Sequence, residues 1–403
     1  MCAVAPRAAA VSGASSIELA DIVRAHGDAY RQTHRLAAVQ HTVLGAIARC
    51  RTAALGGHTA TCDRCGITRS AYNSCRNRHC PKCQYAAQAT WLAARQADLL
   101  PRPYFHVVFT LPHQLNTLAQ GNPRVLYTAL FRAAADTLLA FGRDPRHLGG
   151  TIGVTAILHT WGQNLSQHLH LHCVVTGGAL APDGTRWIAA KTGFLFPVRA
   201  LSMVFRAKYL DALRQAFAQQ RLTFAGGTAD LGPAEAFARF VAALREEPWV
   251  VYAKRPFGGP AQVLQYLGRY THRVAISNAR LVDLQDGTVR FRWKDYADGD
   301  RPKVMALSAE EFLRRFLLHI VPHGFVRIRY FGLLAHRRRR ATLDRCRAVL
   351  AAPTPPAPST QSPAMTIPAP PADVHRCPHC GVGVMRLTAV YASRPPPTAG
   401  DTS

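Results

Sequence analysis

Acidic side chains are scarce in this chain. There are 23 Asp and Glu against 49 Lys and Arg, and the formal net charge is +26. A field that strong points to a polyanionic partner, nucleic acid first, and a hydrolase of small phosphoesters would have no need of it. Lysine is scarce too, with 6 Lys against 43 Arg. Arg grips phosphate oxygens bidentately, but a GC-rich genome produces the same bias, so the ratio carries little weight. No apolar run approaches the length that spans a bilayer. The opening Met1-Cys2-Ala3-Val4-Ala5-Pro6 has no apolar core of a secretory leader. These absences predict a soluble, cytoplasmic protein. No internal repeat is visible, and 403 residues allow two or three domains.

Disulfides are not expected either. Of the eleven cysteines, seven fall in two short clusters with metal spacing, which in a cytosolic chain favours zinc. Cys62-Asp63-Arg64-Cys65 and Cys80-Pro81-Lys82-Cys83 are two C-x-x-C knuckles separated by 14 residues. Four thiolates at that spacing predict one tetrahedral structural zinc site. Cys75 and His79 lie between them and could join a second zinc, with His58 just upstream. Arg69, Arg76 and Arg78 give this module a basic face. Near the C-terminus, Cys377 and Cys380 make half a site, to be completed by His375, His379 or a distant residue.

Period and punctuation give the outline. Ser15 to Glu18 reads as a capping box opening a helix, and apolar spacing suggests helices up to Cys50. A helix is expected over 85–100, a strand over 104–110, a helix over 126–141 and a strand over 151–160. Residues 200–247 read as largely helical, and 261–270 as a helix. Short strands are expected at 250–253, 281–284, 289–293 and 325–330, with Asp286-Gly287 as the hairpin turn between the second and third. Residues 352–372 are rich in Pro, Ala, Ser and Thr and read as a disordered linker. The expected divisions are an N-terminal helical segment (1–50), a zinc-binding domain (51–100), a catalytic domain (101–347), a linker (348–374) and a knuckle-bearing tail (375–403). The fold class is α+β: an antiparallel sheet with flanking helices, plus the small zinc module.

The most informative stretch is His168-Leu169-His170-Leu171-His172, followed by Cys173-Val174-Val175. Period-2 alternation makes it a buried strand with three imidazoles on one face. Such a stripe points to a divalent metal, with a surface strand of merely solvated histidines as the alternative. Downstream, Tyr266 and Tyr270 are one helical turn apart and so share a face. That spacing alone fits ordinary packing. Beside a metal on paired imidazoles it fits a phenol attacking phosphorus. Lys254, Arg269 and Arg273 could hold the phosphate backbone. The run Arg290-Phe291-Arg292-Trp293-Lys294 and the run containing Arg327 and Arg329 alternate charge with rings or aliphatics. That suits single-strand contacts, and equally an amphipathic strand with its apolar face in the core.

Taken together, His159-Thr160-Trp161-Gly162-Gln163-Asn164, the His168–His172 strand, the Tyr266–Tyr270 helix with Thr271-His272-Arg273, and the cluster from Asn73 to Cys83 resemble the rolling-circle insertion-sequence transposases. These are two-tyrosine members of the HUH endonuclease superfamily with an N-terminal zinc-binding domain. The resemblance runs from about His41 to His336. Family members often have Pro where this chain has Leu169, a position facing away from the metal. The resemblance implies cleavage and rejoining of single-stranded DNA at transposon ends and target, a 5′-phosphotyrosine intermediate on Tyr266 or Tyr270, structural zinc and a catalytic Mg²⁺ or Mn²⁺. It implies His170 and His172 as metal ligands and calls for a third. A hairpin turning near Asn164-Leu165 would set His159 opposite His170, and His168 is its rival, with Gln262 and His272 behind. Two other readings compete: a rolling-circle replication initiator or relaxase with the same chemistry, and a non-catalytic zinc-ribbon DNA-binding protein.

Overall fold

The computed structural model describes residues 17–257, 262–263, 268, 275–296, 298–351 and 375–393. Its centre is a five-stranded antiparallel sheet in the order β12-β4-β5-β3-β8. The strands are β3 (Tyr104–Thr110), β4 (Gly153–Trp161), β5 (Gln167–Thr176), β8 (Val251–Phe257) and β12 (Ile328–Gly332). The histidine strand β5 is therefore central, as its alternation predicted. Pleating sorts its side chains. Leu169, Leu171, Cys173 and Val175 enter the main core with Phe105, Val107 and Phe109 of β3 and Val154, Ala156 and Leu158 of β4. Helices α5 (Pro123–Arg143), α6 (Val198–Ala218) and α7 (Ala234–Glu246) cover that face with Leu130, Phe131, Leu138, Phe205, Leu213 and Val241. Among the described residues one helix, α5, is long and apolar enough to cross a membrane, but its apolar residues lie in this core.

The other sheet face is only partly apolar. Tyr104, Ile157 and Val174 form a small cluster there with Val263, backed by Trp91 of α3 (Pro81–Gln96). The histidines occupy the rest of this face.

A second core lies apart. Helices α1 (Leu19–Thr33) and α2 (Ala38–Arg49) pack with the sheet β9 (Leu281–Gln285), β10 (Thr288–Asp295) and β11 (Arg301–Ser308), and with the helix α8 (Ala309–Leu317). Leu44, Ile47, Phe291, Phe312 and Leu313 are fully buried in it. The N-terminal helices thus close on residues some 250 positions downstream. The cap of α1 is Glu18, whose N–H donates to Asp21 Oδ2 at 2.8 Å, rather than Ser15, which lies outside the described residues. Asp286 (φ 47°) and Gly287 (φ 71°) form the left-handed pair that joins β9 to β10.

The remaining sheets are small. β6 (Gly178–Leu180) pairs with β7 (Trp187–Ala189). β1 (Gly57–Cys62) pairs with β2 (Thr68–Tyr72) on one side and β13 (Met385–Tyr391) on the other, both antiparallel. The C-terminal tail is therefore a strand of the N-terminal ribbon, which its distance in sequence concealed. Two further helices are α4 (Asn116–Gly121) and α9 (Arg339–Ala351).

Candidate functional site

The β4–β5 register pairs His159 with His170 and Ile157 with His172. Residues 159, 170 and 172 therefore converge on one face, and their ring nitrogens lie within 4.8 Å of one another. His170 Nε2 and His172 Nε2 are 3.1 Å apart. His170 Nδ1 donates to the carbonyl oxygen of His168 at 2.8 Å, which leaves Nε2 unprotonated and facing its neighbours. Burial, helped by His168, pushes the His170 pKa down to about 3, so the ring stays neutral at ordinary pH. Two facing lone pairs at 3.1 Å repel unless a proton or a cation lies between them. Trp161 stacks on His159 with centroids 4.6 Å apart and fixes its ring plane.

His168 stays outside the convergence. Its ring lies beside both His170 and His113, at centroid distances of 4.8 and 5.5 Å, but its nitrogens do not join the converging group, and its backbone carbonyl serves His170. Gln262 is helical and exposed, and His272 lies outside the described residues. A residue that alternation did not single out completes the face. His106 on β3 places Nε2 2.9 Å from Nδ1 of His172. Its signal was available: His106 interrupts an otherwise apolar strand and is 2 % exposed.

Tyr266, Tyr270, Arg269 and Arg273 lie outside the described residues, as does the side chain of Lys254. Their described neighbours are informative. Val263 is fully buried with Ile157 and Val174, which adjoin His172 on the histidine face. The Gly268 carbonyl accepts from Gln88 of α3. A Cβ at Gly268 would sit 2.8 Å from the Leu92 Cδ1 methyl, so α3 passes close to this backbone.

The expected phosphate contacts fare unevenly. Arg292 and Lys294 point outward from β10, but Phe291 is fully buried and Trp293 packs half-buried against the second core. The amphipathic-strand pattern accounts for Phe291, while Trp293 keeps part of its ring at the surface. Arg327 donates to Gln84 Oε1 at 2.7 Å, and burial next to Arg78 lowers its pKa to about 10. Arg329 lies over the Phe131 ring, 4.3 Å from its centroid. Both brace β12 against its neighbours, because inward-facing charge on a short edge strand must find a partner.

The cysteines are regrouped. Cys62 and Cys65 do not meet Cys80 and Cys83. Cys80 and Cys83 join Cys50 and Cys75, and Cys62 and Cys65 join Cys377 and Cys380. In the first cluster Cys50 Sγ lies 3.7 Å from Cys83 Sγ and 3.6 Å from Cys80 Sγ, and Cys75 Sγ lies 3.5 Å from Cys83 Sγ. These separations are far beyond a disulfide and match sulfurs sharing one ion. Hydrogen bonding from Cys75 holds the Cys80 thiol down to about 5, while burial raises Cys50 to about 11. His79 is not a fifth ligand. It is buried, accepts from the Val321 N–H at 3.4 Å, and is held neutral by burial, with its pKa near 3. Cys50 carried no sequence signal, because it ends α2 without a C-x-x-C partner.

Comparison with known proteins agrees with this layout. Residues 22–111, which include the first thiolate cluster, match the family model described as "Transposase zinc-binding domain". Residues 153–341, which include β4 and β5, match the one described as "Putative transposase". A Sinorhizobium fredii protein named "Putative transposase y4qJ" is 52% identical over 399 residues, covering 96% of this chain and 99% of its own length. The transposase for insertion sequence element IS801 of Pseudomonas savastanoi pv. phaseolicola is 30% identical over 348 residues, covering 85% of this chain and 82% of its own. No solved structure matches. Near-complete coverage by these relatives, with a thiolate cluster and a histidine face inside the matching segments, settles the family: the chain belongs to the transposases of the IS91 and IS801 type, whose substrate is DNA.

Proposed function

We propose that this transposase cleaves and rejoins single-stranded DNA through a 5′-phosphotyrosine, in rolling-circle transposition of an insertion sequence. The convergence of His159, His170 and His172 is the observation that carries the reading. The three-imidazole set fits a divalent cation, since its nitrogens converge and burial keeps the His170 ring neutral. It has no carboxylate among its donors. Imidazole favours Mn²⁺ over Mg²⁺, and an uncharged donor set leaves the ion's full charge directed at substrate. Such an ion supplies electrostatic stabilisation of the charge that builds on the scissile phosphate.

The chain's own residues do the rest. The Tyr266 hydroxyl attacks phosphorus, forming the Tyr–O–P bond as the P–O3′ bond breaks. The phenol proton passes to solvent, and the departing 3′ oxygen takes a proton from solvent to become a free hydroxyl. Tyr270 repeats the step on the second strand, and rejoining reverses it with the 3′-hydroxyl as nucleophile. Packing of Val263 on the histidine face supports this placement of the nucleophile segment. Outward-facing Arg292 and Lys294 and the +26 field supply phosphate contacts, and the Cys50, Cys75, Cys80, Cys83 cluster takes a structural zinc.

The test is denaturing electrophoresis of the protein with a single-stranded end oligonucleotide and Mn²⁺. A covalent adduct is expected with wild type and none with the double variant Tyr266→Phe, Tyr270→Phe. Cleavage with an intact adduct in both single variants would end the two-tyrosine scheme.

His106 has a separable role in this reading, positioning the His172 ring through the 2.9 Å contact. Replacing such a partner typically costs 10–100-fold in metal affinity. His106→Ala should therefore raise the Mn²⁺ concentration for half-maximal cleavage by about that factor. The rate at saturating Mn²⁺ should stay near wild type. An unchanged Mn²⁺ dependence would show that His106 only fills space.

A further inference from the structure

The tail cysteines lie outside both family matches, yet they complete a site. We infer that Cys62, Cys65, Cys377 and Cys380 hold a second zinc, a clasp that fastens the C-terminal strand to the N-terminal ribbon. Cys62 Sγ is 3.8 Å from Cys380 Sγ, and Cys65 Sγ is 3.7 Å from Cys377 Sγ. A tetrahedron with zinc–sulfur bonds of about 2.3 Å has an edge of about 3.8 Å.

The two knuckles are built alike. In Cys62-Asp63-Arg64-Cys65-Gly66 the N–H groups of Arg64 and Cys65 approach Cys62 Sγ at 3.4 and 3.5 Å. In Cys377-Pro378-His379-Cys380-Gly381 the chain turns the same way, and the Gly383 N–H donates to Cys380 Sγ at 3.3 Å. Each knuckle ends on a glycine in the left-handed region, Gly66 at φ 70° and Gly381 at φ 67°. The amide donors stabilise thiolates, so four thiols can release their protons to solvent as one divalent ion binds their sulfurs, leaving a site of net charge −2. No oxidant or reductant is needed.

The tail is shaped to the first knuckle. A Cβ at Gly383 would lie 2.4 Å from Cys62 Sγ, so the backbone passes where only glycine fits. Asp63 Oδ1 accepts from the Val384 N–H at 2.8 Å, and Asp63 Oδ2 lies 3.3 Å from Arg386 Nε. Beyond these contacts, β13 pairs along β1 from Met385 opposite Cys62 to Tyr391 opposite Gly57. Cys65 is exposed and Cys62 and Cys377 are buried, so thiol accessibility without an ion should be uneven.

The experiment uses the purified full-length chain. Bound zinc is counted for wild type and for C377S/C380S, and iodoacetamide labelling is mapped on each by mass spectrometry. The double variant should hold one equivalent of zinc fewer than wild type. Cys62 and Cys65 should become labelled in it, while Cys50, Cys75, Cys80 and Cys83 stay protected. The reciprocal variant C62S/C65S should likewise lose one equivalent and expose Cys377 and Cys380. Equal zinc in wild type and both variants would overturn the clasp. So would rapid labelling of Cys65 and Cys380 in wild type, a result that needs no variant to fold. The readout is independent of strand cleavage, so failure here leaves the phosphotyrosine reading untouched.

Discussion

Replacing His170 and His172 together by alanine is expected to lower DNA strand cleavage by at least about 10³-fold, with DNA binding and melting temperature close to wild type. The size follows from the chemistry. A cation at a developing phosphorane charge contributes several kcal/mol, and each 1.36 kcal/mol is tenfold in rate. The fold should survive because the two side chains contribute nothing to the main core. Leu169, Leu171 and Cys173 alternate with them and remain on the buried face. Binding should persist because the field of +26 is unchanged. The check is a cleavage time course with an electrophoretic shift on the same oligonucleotide. Cleavage within tenfold of wild type would remove the imidazoles from the mechanism and leave their convergence a packing feature.

The second large effect is on stability. Cys80→Ser is expected to release one zinc and to unfold the N-terminal region, with loss of the α1–α2 packing. Zinc binding to structural thiolate sites carries apparent free energies of about 10–16 kcal/mol at neutral pH, comparable to the whole stability of a domain. Cys80 and Cys83 are buried with Cys50 in the second core, so an ion held by these thiolates would tie buried elements together. Without it, the cluster must bury thiols that partly ionise. Cys80, hydrogen-bonded by Cys75, is already held down to about 5. Circular dichroism melts and zinc release will test this. A variant that melts like wild type while holding one zinc fewer would show that packing alone supports α1 and α2.

How much of this could be read from sequence depends on the range of the interaction involved. The strand Tyr104–Thr110 and the histidine strand follow from alternation, because pleating is local. His159 was within reach because one short hairpin sets its register against His170. Thiolate partners were not within reach. Spacing reveals a knuckle but not which knuckle it meets, and Cys62 finds Cys380 across 318 positions. Cys50 has no local signature at all. β11 was missed because Arg301-Pro302-Lys303 reads as a charged loop, yet it is the outer strand of a three-stranded sheet, where such residues are tolerated. Arg327 and Arg329 show the limit of charge patterning. The same alternation serves phosphate contact and inward bracing, and only Gln84 and Phe131 tell them apart.

The pairing of β1 with β13 has a consequence for biosynthesis. Most chains settle their first domain while the rest is still being made. Here the ribbon that starts at Gly57 lacks one of its strands until Tyr391 has been translated and has left the ribosome. Until then β1 offers an open edge, a template for pairing with another nascent chain. A polypeptide released early by a premature stop would carry an intact histidine strand and an unfinished ribbon. Completion of the first module thus depends on translation of Met385–Tyr391, far downstream of the strand it finishes.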